Sequence, residues 1–503
     1  MTGPAGGSGR SKAAAAAVGI GVVGLVLVLV GVRSTGLRLH PETPSFVNAD
    51  RPGINAHNSP AVAASGNTIV LADRIDTPRF SCSVSVSTTA GATWQPLPLP
   101  LPPDAPNCHQ PDVAFDGDGH LVVLYTATGG RFNQPVGVWL QRYDGQSPLG
   151  PAVRVAPADA FHARLAVDGT RVWVAWVQAD GAGDKPLGFG PGPNFVMLAR
   201  SDDGGGTFAA PVRVSEPGRR AVQPTPVVVG DRLVVGAFDL GDDVLDYEAV
   251  HGGQGGAPFD GRWRVVLWSS ADGGSTFGPA VTVADNLVVP QRIIVNLATA
   301  PSFAADPGHR GRLYASWDAG QGDARDVFVA RSDDSGATWS APVPVVSRPR
   351  GQFLPAVAVA PDGRVDVVFY DRSADPADVL AQVTVASSTD GGRSFRAARA
   401  SDAPFDSHIG FGSLQGIPLL GSQLAVLSEN DSALAFWSDT GRGTVDTNVQ
   451  DLAAVTVDVA GARGPRPVLL VPGALLLGLG GGLGAGRGVL GRLRPGDRRP
   501  QQA

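Results

Sequence analysis

Apolar and polar positions between residues 43 and 460 follow one repeating plan. Two short runs rich in β-branched residues stand either side of a Gly, Asp or Asn turn. Pro60-Ala61-Val62-Ala63-Ala64 precedes Thr68-Ile69-Val70-Leu71-Ala72, and Pro111-Asp112-Val113-Ala114-Phe115 precedes His120-Leu121-Val122-Val123-Leu124. The pairing recurs over Ala163–Trp176, Pro224–Phe238, Pro301–Trp317, Pro355–Tyr370 and, more loosely, Gln415–Leu427. Runs of this length split by turn residues predict antiparallel hairpins. Third and fourth runs follow, such as Pro211-Val212-Arg213-Val214 or Pro342-Val343-Pro344-Val345. Four strands per unit of roughly 50 to 70 residues predict an all-β fold, a β-propeller of four-stranded blades. Seven pairs imply seven blades, and six if one terminal unit is shared.

The turn between the third and fourth runs carries a recurring octet. SDDGGGTF spans Ser201–Phe208, SADGGSTF spans Ser270–Phe277, SDDSGATW spans Ser332–Trp339 and STDGGRSF spans Ser388–Phe395. A worn copy, STTAGATW, spans Ser87–Trp94. Tyr143-Asp144-Gly145-Gln146 stands where the second unit's copy is expected, and Trp437-Ser438-Asp439-Thr440-Gly441 where the seventh's is. Each Asp can accept N–H bonds within its own turn, Gly permits positive φ, and the Ser and Thr hydroxyls complete the knot. The terminal aromatic is then free to pack between blades. Catalysis needs a site once, whereas every blade needs a turn. Ser201, Asp203, Gly205, Asp272, Gly274, Asp334, Gly336, Asp390 and Gly392 are therefore read as structural. No octet has the spacing of an EF-hand calcium loop. The octets resemble the Asp box, or BNR repeat, of sialidases and related propellers, and the likeness covers nearly all of residues 43–460.

The chain's ends differ from its body. Ala13–Val32 is a run of 20 uncharged, mostly apolar residues behind Arg10 and Lys12. As a helix it is long enough to cross a hydrocarbon core of about 30 Å. Residues 1–36 are thus expected to form a signal anchor, or a cleaved signal peptide. Residues 468–486 form a second candidate span, whose Pro472 and glycines a membrane helix tolerates. Arg487, Arg492, Arg494, Arg498 and Arg499 make 487–503 a basic tail expected to stay in the cytoplasm. This places the propeller outside the cytoplasm, at the cell membrane. The net charge of −6 and the lack of a basic run in the body exclude nucleic acid as a partner. Cys82 and Cys108 are the two cysteines. They are either free thiols or, in an exported chain, one disulfide closing a loop of about 26 residues.

In an antiparallel blade the start of strand 1 and the end of strand 2 share the face opposite the octet turn. Before strand 1 stand His57-Asn58, His109-Gln110, His162, Gln223, Asn296, Gln352 and, in the last unit, His408. After strand 2 stand Asp73-Arg74, Asp239, Asp318, Asp371-Arg372 and Glu429. Inner strands line the axis, so these side chains are expected to meet in a polar funnel. His57, Asn58, His109, Gln110, His162, Asp239, Asp318, Asp371 and Arg372 are the expected contacts to a glycan or protein ligand. No cofactor is expected, although imidazoles beside carboxylates can also take a divalent metal. The long segment Leu240–Arg262, with Asp242, Asp243, Asp246 and Glu248, is expected to project over this face.

The sialidase resemblance implies three arginines for the substrate carboxylate, a Tyr nucleophile activated by a Glu, and an Asp acid/base. Arg74 and Asp76 match an arginine and the acid that follows it. Elsewhere the chain departs from the pattern. Asn58-Ser59-Pro60 replaces Arg-Ile-Pro, Phe411-Gly412-Ser413-Leu414 lacks the tyrosine, and Asn296 and Gln352 occupy the other arginine places, with Arg350 displaced. The expectation is a recognition propeller. The alternative is a glycoside hydrolase drawing on Asp73, Arg74, Asp76, Asp371 and Glu429. In that case, carboxylates about 5–5.5 Å apart suit retention and about 6.5–9.5 Å inversion.

Overall fold

The structure, a computed structural model, describes residues 36–48, 56–76, 79–130, 133–180, 192–245, 250–251, 254–255, 259–288, 300–320, 325–409 and 420–461. Both expected membrane spans, the basic tail, Asn296 and Phe411–Leu414 lie outside them. Among the described residues no helix is long and apolar enough to cross a membrane.

Seven antiparallel sheets, each with a path of four strands, follow one another along the chain as seven blades. Blade 1 runs through His57–Ser65, Thr68–Ile75, Ser81–Ser87 and Gln95–Pro96. The inner strands of blades 2 to 6 are Asn107–Phe115, Ala160–Asp168, Arg220–Val229, Ser302–Ala305 and Gln352–Val359. The inner hairpins close as their residues dictate. Gly66 and Asn67 form a two-residue turn in blade 1, and Gly66 takes the positive φ that such a turn requires, +57°.

Blade 7 differs in origin. Its strands Ala425–Ser428, Ser432–Asp439 and Asp451–Ala460 are completed by Arg38–Pro41, from the start of the chain. Ser45–Phe46 adds a further pair to the same outer strand. The propeller therefore begins ahead of residue 43, at Arg38. Glu429 needs correction as well. Expected at the end of strand 2, it lies in the turn between strands 1 and 2, where its N–H reaches Ser432 O at 2.9 Å. That turn faces away from the funnel. Trp437–Gly441 marks the end of strand 2, not an octet turn. Blade 7 has no such turn because its fourth strand comes from the other end of the chain.

The octets sit at the outer turns. In blade 5 the Ser332 hydroxyl donates to Asp334 Oδ1 at 2.7 Å and accepts the Gly336 N–H at 2.8 Å. Asp334 also accepts the Thr338 N–H at 2.8 Å and its hydroxyl at 2.6 Å. Bonds from the Thr276 hydroxyl and N–H, then from Ser270, hold the matching Asp272 carboxyl down to about 2. Gly336 has φ +88°, and a Cβ there would lie 2.7 Å from Leu267 of the preceding blade. The octet is thus also an interblade contact. Arginines of the preceding blade reach across to it: Arg142 Nη1 to Asp203 O at 3.4 Å, and Arg331 Nη1 to Gly391 O at 3.3 Å. Asp334→Ala is expected to cost about 1–2 kcal/mol through its lost hydrogen bonds. A denaturation midpoint equal to wild type would contradict this role.

The core lies between blades. Trp173, Trp176, Trp263, Trp268, Trp317 and Trp437 are all fully buried. Cys82, on the third strand of blade 1, is disulfide-bonded to Cys108, on the inner strand of blade 2, with Cα atoms 5.4 Å apart.

Candidate functional site

A β-bulge recurs at the funnel end of the inner strands. In blades 1, 2, 3, 4 and 6 the register slips between Asn58 and Ala61, His109 and Asp112, Phe161 and Arg164, Val222 and Thr225, and Phe353 and Ala356. Within each slip one residue has positive φ: Ser59 +56°, Gln110 +47°, His162 +52°, Gln223 +56° and Leu354 +53°. Non-glycine residues avoid this region, and bulges re-aim side chains at the rims of closed sheets. The repeated strain marks this end as the specialised one.

Measured from the bulge, the three funnel histidines are not equivalent. His57 stands two places before the strained residue, His109 one before it, and His162 is that residue. They therefore form two clusters on either side of blade 1. On the blade 7 side, His57 Nδ1 lies 2.6 Å from Asp73 Oδ2, with both side chains buried. The Ser438 hydroxyl of blade 7 donates to His57 O at 2.8 Å. On the blade 2 side, Arg74 grips Asp76 through Nε at 2.6 Å and Nη2 at 3.0 Å. Its Nη1 reaches His109 Nε2 at 3.0 Å. Asn58 Nδ2 joins the two clusters by donating to Asp76 Oδ2 at 2.9 Å. Burial, then the Arg74 charge and then His162, lowers His109 well below its usual value. Burial, then Arg74, lowers His162 to about 3. Both imidazoles are neutral at physiological pH.

The other expected acids are already engaged. Asp239 is ion-paired with Arg219, and with Arg264 at 2.6 Å. Asp318 pairs with Arg325, and Asp371 with Arg348 at 2.6 Å. Arg372 sits 3.6 Å from Asp378, donates to the Ser407 hydroxyl at 2.8 Å and lies over the Phe353 ring. These pairs tie strand ends to neighbouring connections. His408 is half-exposed beside Asp406, at 3.4 Å.

Among the buried polar atoms around this end without a hydrogen-bond partner are His57 Nε2, Gln110 Oε1, Gln223 Nε2 and Gln352 Oε1. They belong to blades 1, 2, 4 and 6. Just below, a cavity of about 180 Å³ follows the axis, lined by inner strands of all seven blades. Arg164 crosses it, bonded to Asp112 Oδ2 at 3.0 Å and to Gln423. Gln423 Nε2 in turn donates to Pro60 O at 3.0 Å.

Sequence reasoning missed one pair. Asp439 ends strand 2 of blade 7 and is in register with Asp451. Burial and then Asp451 and Asp402 raise Asp439, against bonds from Gly441 and Trp437. Burial also raises Asp451, against Arg442, His57 and Asn48. Taking Ser432–Asp439 as strand 2, in place of the run ending at Leu427, would have found Asp439. Asp451 follows a loop with no apolar period. Among the described residues, the one grouping with metal-ligand spacing is Asp116, Asp118 and His120. It lies in a turn on the face away from the funnel, and Asp116 Oδ1 already accepts the N–H of both other residues.

No protein-family model and no curated protein matches the chain. Solved structures align with most of the chain at low identity. An ulvan lyase bound to its saccharide aligns at 13% identity and TM-score 0.49, covering 82% of this chain and 95% of that one. Hadza microbial sialidase Hz136 aligns at 15% and 0.43, covering 80% and 65%. A Dyadobacter fermentans protein of unknown function aligns at 14% and 0.45, covering 84% and 100%.

Proposed function

We propose that this chain is a glycan-binding propeller, held at the outer face of a membrane by residues 13–32 and 468–486, with its ligand on the funnel face. The carrying observation is the set of unpartnered buried atoms on His57, Gln110, Gln223 and Gln352. Buried polar atoms in folded proteins almost always have partners, so such a group calls for an occupant. Imidazole nitrogen, amide oxygen and amide nitrogen together match the mixed donors and acceptors of sugar hydroxyls. The carboxylates named for hydrolysis support binding over turnover: Asp76 and Asp371 are held by arginines, Asp73 by His57, and Glu429 faces away. A hydrolase reading rests instead on the Asp439–Asp451 pair.

The test is a glycan array probed with the full chain in detergent, with released sugar assayed in parallel. Saturable binding without turnover is the expected result. Gln110→Ala removes an atom that bonds nothing within the protein, so stability should hold while affinity falls about tenfold, the worth of one hydrogen bond. Unchanged affinity for every bound glycan would remove the funnel as the site, and turnover would move the reading to Asp439 and Asp451.

A further inference from the structure

Resting on that reading, we infer that the funnel selects uncharged glycans and rejects acidic ones. Acidic sugars are recognised by arginines free to fork onto a carboxylate or sulfate. Here the guanidinium at the centre of the site is already taken. Arg74 is 1% exposed, ion-paired with Asp76 and hydrogen-bonded to it through Nη2, and its Nη1 lies on His109. The two imidazoles beside it add no positive charge, since His109 and His162 are held neutral by burial and by Arg74.

Among the described residues, the other arginines on this face, Arg79 apart, are engaged by carboxylates. Arg219 and Arg264 end on Asp239, Arg325 on Asp318, Arg348 on Asp371 and Arg372 on Asp378. Arg220 lies in the field of Asp243 and Asp242, and Arg350 in that of Asp375. Arg79, on the connection after strand 2 of blade 1, is exposed. Water screens a charge so placed, which makes it a weak anchor.

The blade 7 edge of the site carries the opposite sign. Asp439 is in register with Asp451 and, after burial, is raised by Asp451 and Asp402; Arg442 Nη1 lies 3.4 Å from Asp451 Oδ2, and Asp451 also interacts with His57. An anionic sugar would exchange its hydration for a floor that offers no free cation among the described residues, and a rim of carboxylates. A neutral sugar meets unpartnered amide and imidazole atoms instead.

The experiment uses matched probes: neutral 1,4-linked oligosaccharides of glucose, galactose and mannose, and the same oligosaccharides oxidised at their free C6 hydroxyls to uronates. Calorimetry with the full chain in detergent is expected to show at least tenfold tighter binding of the neutral member. Asp76→Asn releases Arg74 and should move the preference at least tenfold toward the oxidised member. Arg79→Ala should leave it unchanged. Equal or tighter wild-type binding of the oxidised sugars overturns the inference while leaving the glycan-binding reading intact. Binding to neither set overturns both. A preference that depends on Arg79 places selectivity at the surface and also overturns the inference. If Asp76→Asn fails to fold, the wild-type comparison and Arg79→Ala still decide it.

Discussion

Replacing Asp366 by alanine is expected to remove about 3–5 kcal/mol of stability, the range for uncovering one partner of a buried ion pair. Arg364 and Asp366 are both fully buried, and Arg364 Nη2 lies 2.8 Å from Asp366 Oδ2. The guanidinium also donates to three carbonyls of the blade 7 turn: Glu429 O at 2.7 Å, Asn430 O at 2.6 Å and Ser432 O at 2.8 Å. Ser387 and Ser428 hydroxyls donate to the Asp366 carboxylate. One blade 6 ion pair thus fixes the first turn of the blade that closes the ring. Alanine leaves the guanidinium in place with no anion, far from water. Removing both charges with Arg364→Met and Asp366→Leu should cost less, because no unpaired charge remains. Chemical denaturation of the full chain gives both values. A single-mutant loss below about 1 kcal/mol would mean the pair adds little to ring closure.

Removing the disulfide with Cys82→Ala and Cys108→Ala is expected to cost about 3 kcal/mol, the chain-entropy value for a loop of this length. The separation is 26 residues. Alanine is preferred to serine because Cys108 is buried among Ala105, Tyr125 and Ala127, where a hydroxyl would add its own penalty. The bond also bears on the site. Cys82 is paired across the sheet with Arg74, and Cys108 is the neighbour of His109. The disulfide therefore clamps together the two blades whose contact is the Arg74–His109 bond at 3.0 Å. Reduction should lower the denaturation midpoint of wild type to that of the double alanine variant and weaken glycan binding. Wild type insensitive to reductant would show that interblade packing alone supplies the restraint.

Much of the site was legible because repetition is local. Each Asp-Gly octet closes its own turn, so SDDSGATW located a blade and its orientation without reference to the rest of the chain. By excluding the octets, the repeat directed attention to His57, His109, Asp73 and Arg74, and the fold brings these four to the two sides of blade 1. What failed was the register. His57, His109 and His162 look equivalent when counted back from a Pro or Ala, but the bulge gives each a different direction. Likewise Asp239, Asp318 and Asp371 look available until Arg219, Arg264, Arg325 and Arg348 are placed beside them. Those partners lie on other strands or connections, and one sequence does not state which will meet.

By itself, then, the sequence determined the all-β class, the four-stranded unit and the structural role of the octet, because each depends on contacts within a few residues. The tertiary structure alone decided how the ring closes. Arg38–Pro41 pairs with the strand Asp451–Ala460, a contact between opposite ends of the propeller that no local pattern encodes. That closure removes the seventh octet, and the packing of blade 7 against blade 1 brings Asp451 beside His57. The physical reason is the same in each case: a hydrogen-bonded turn is written in neighbouring residues, whereas an interblade contact depends on where every other blade has already been placed.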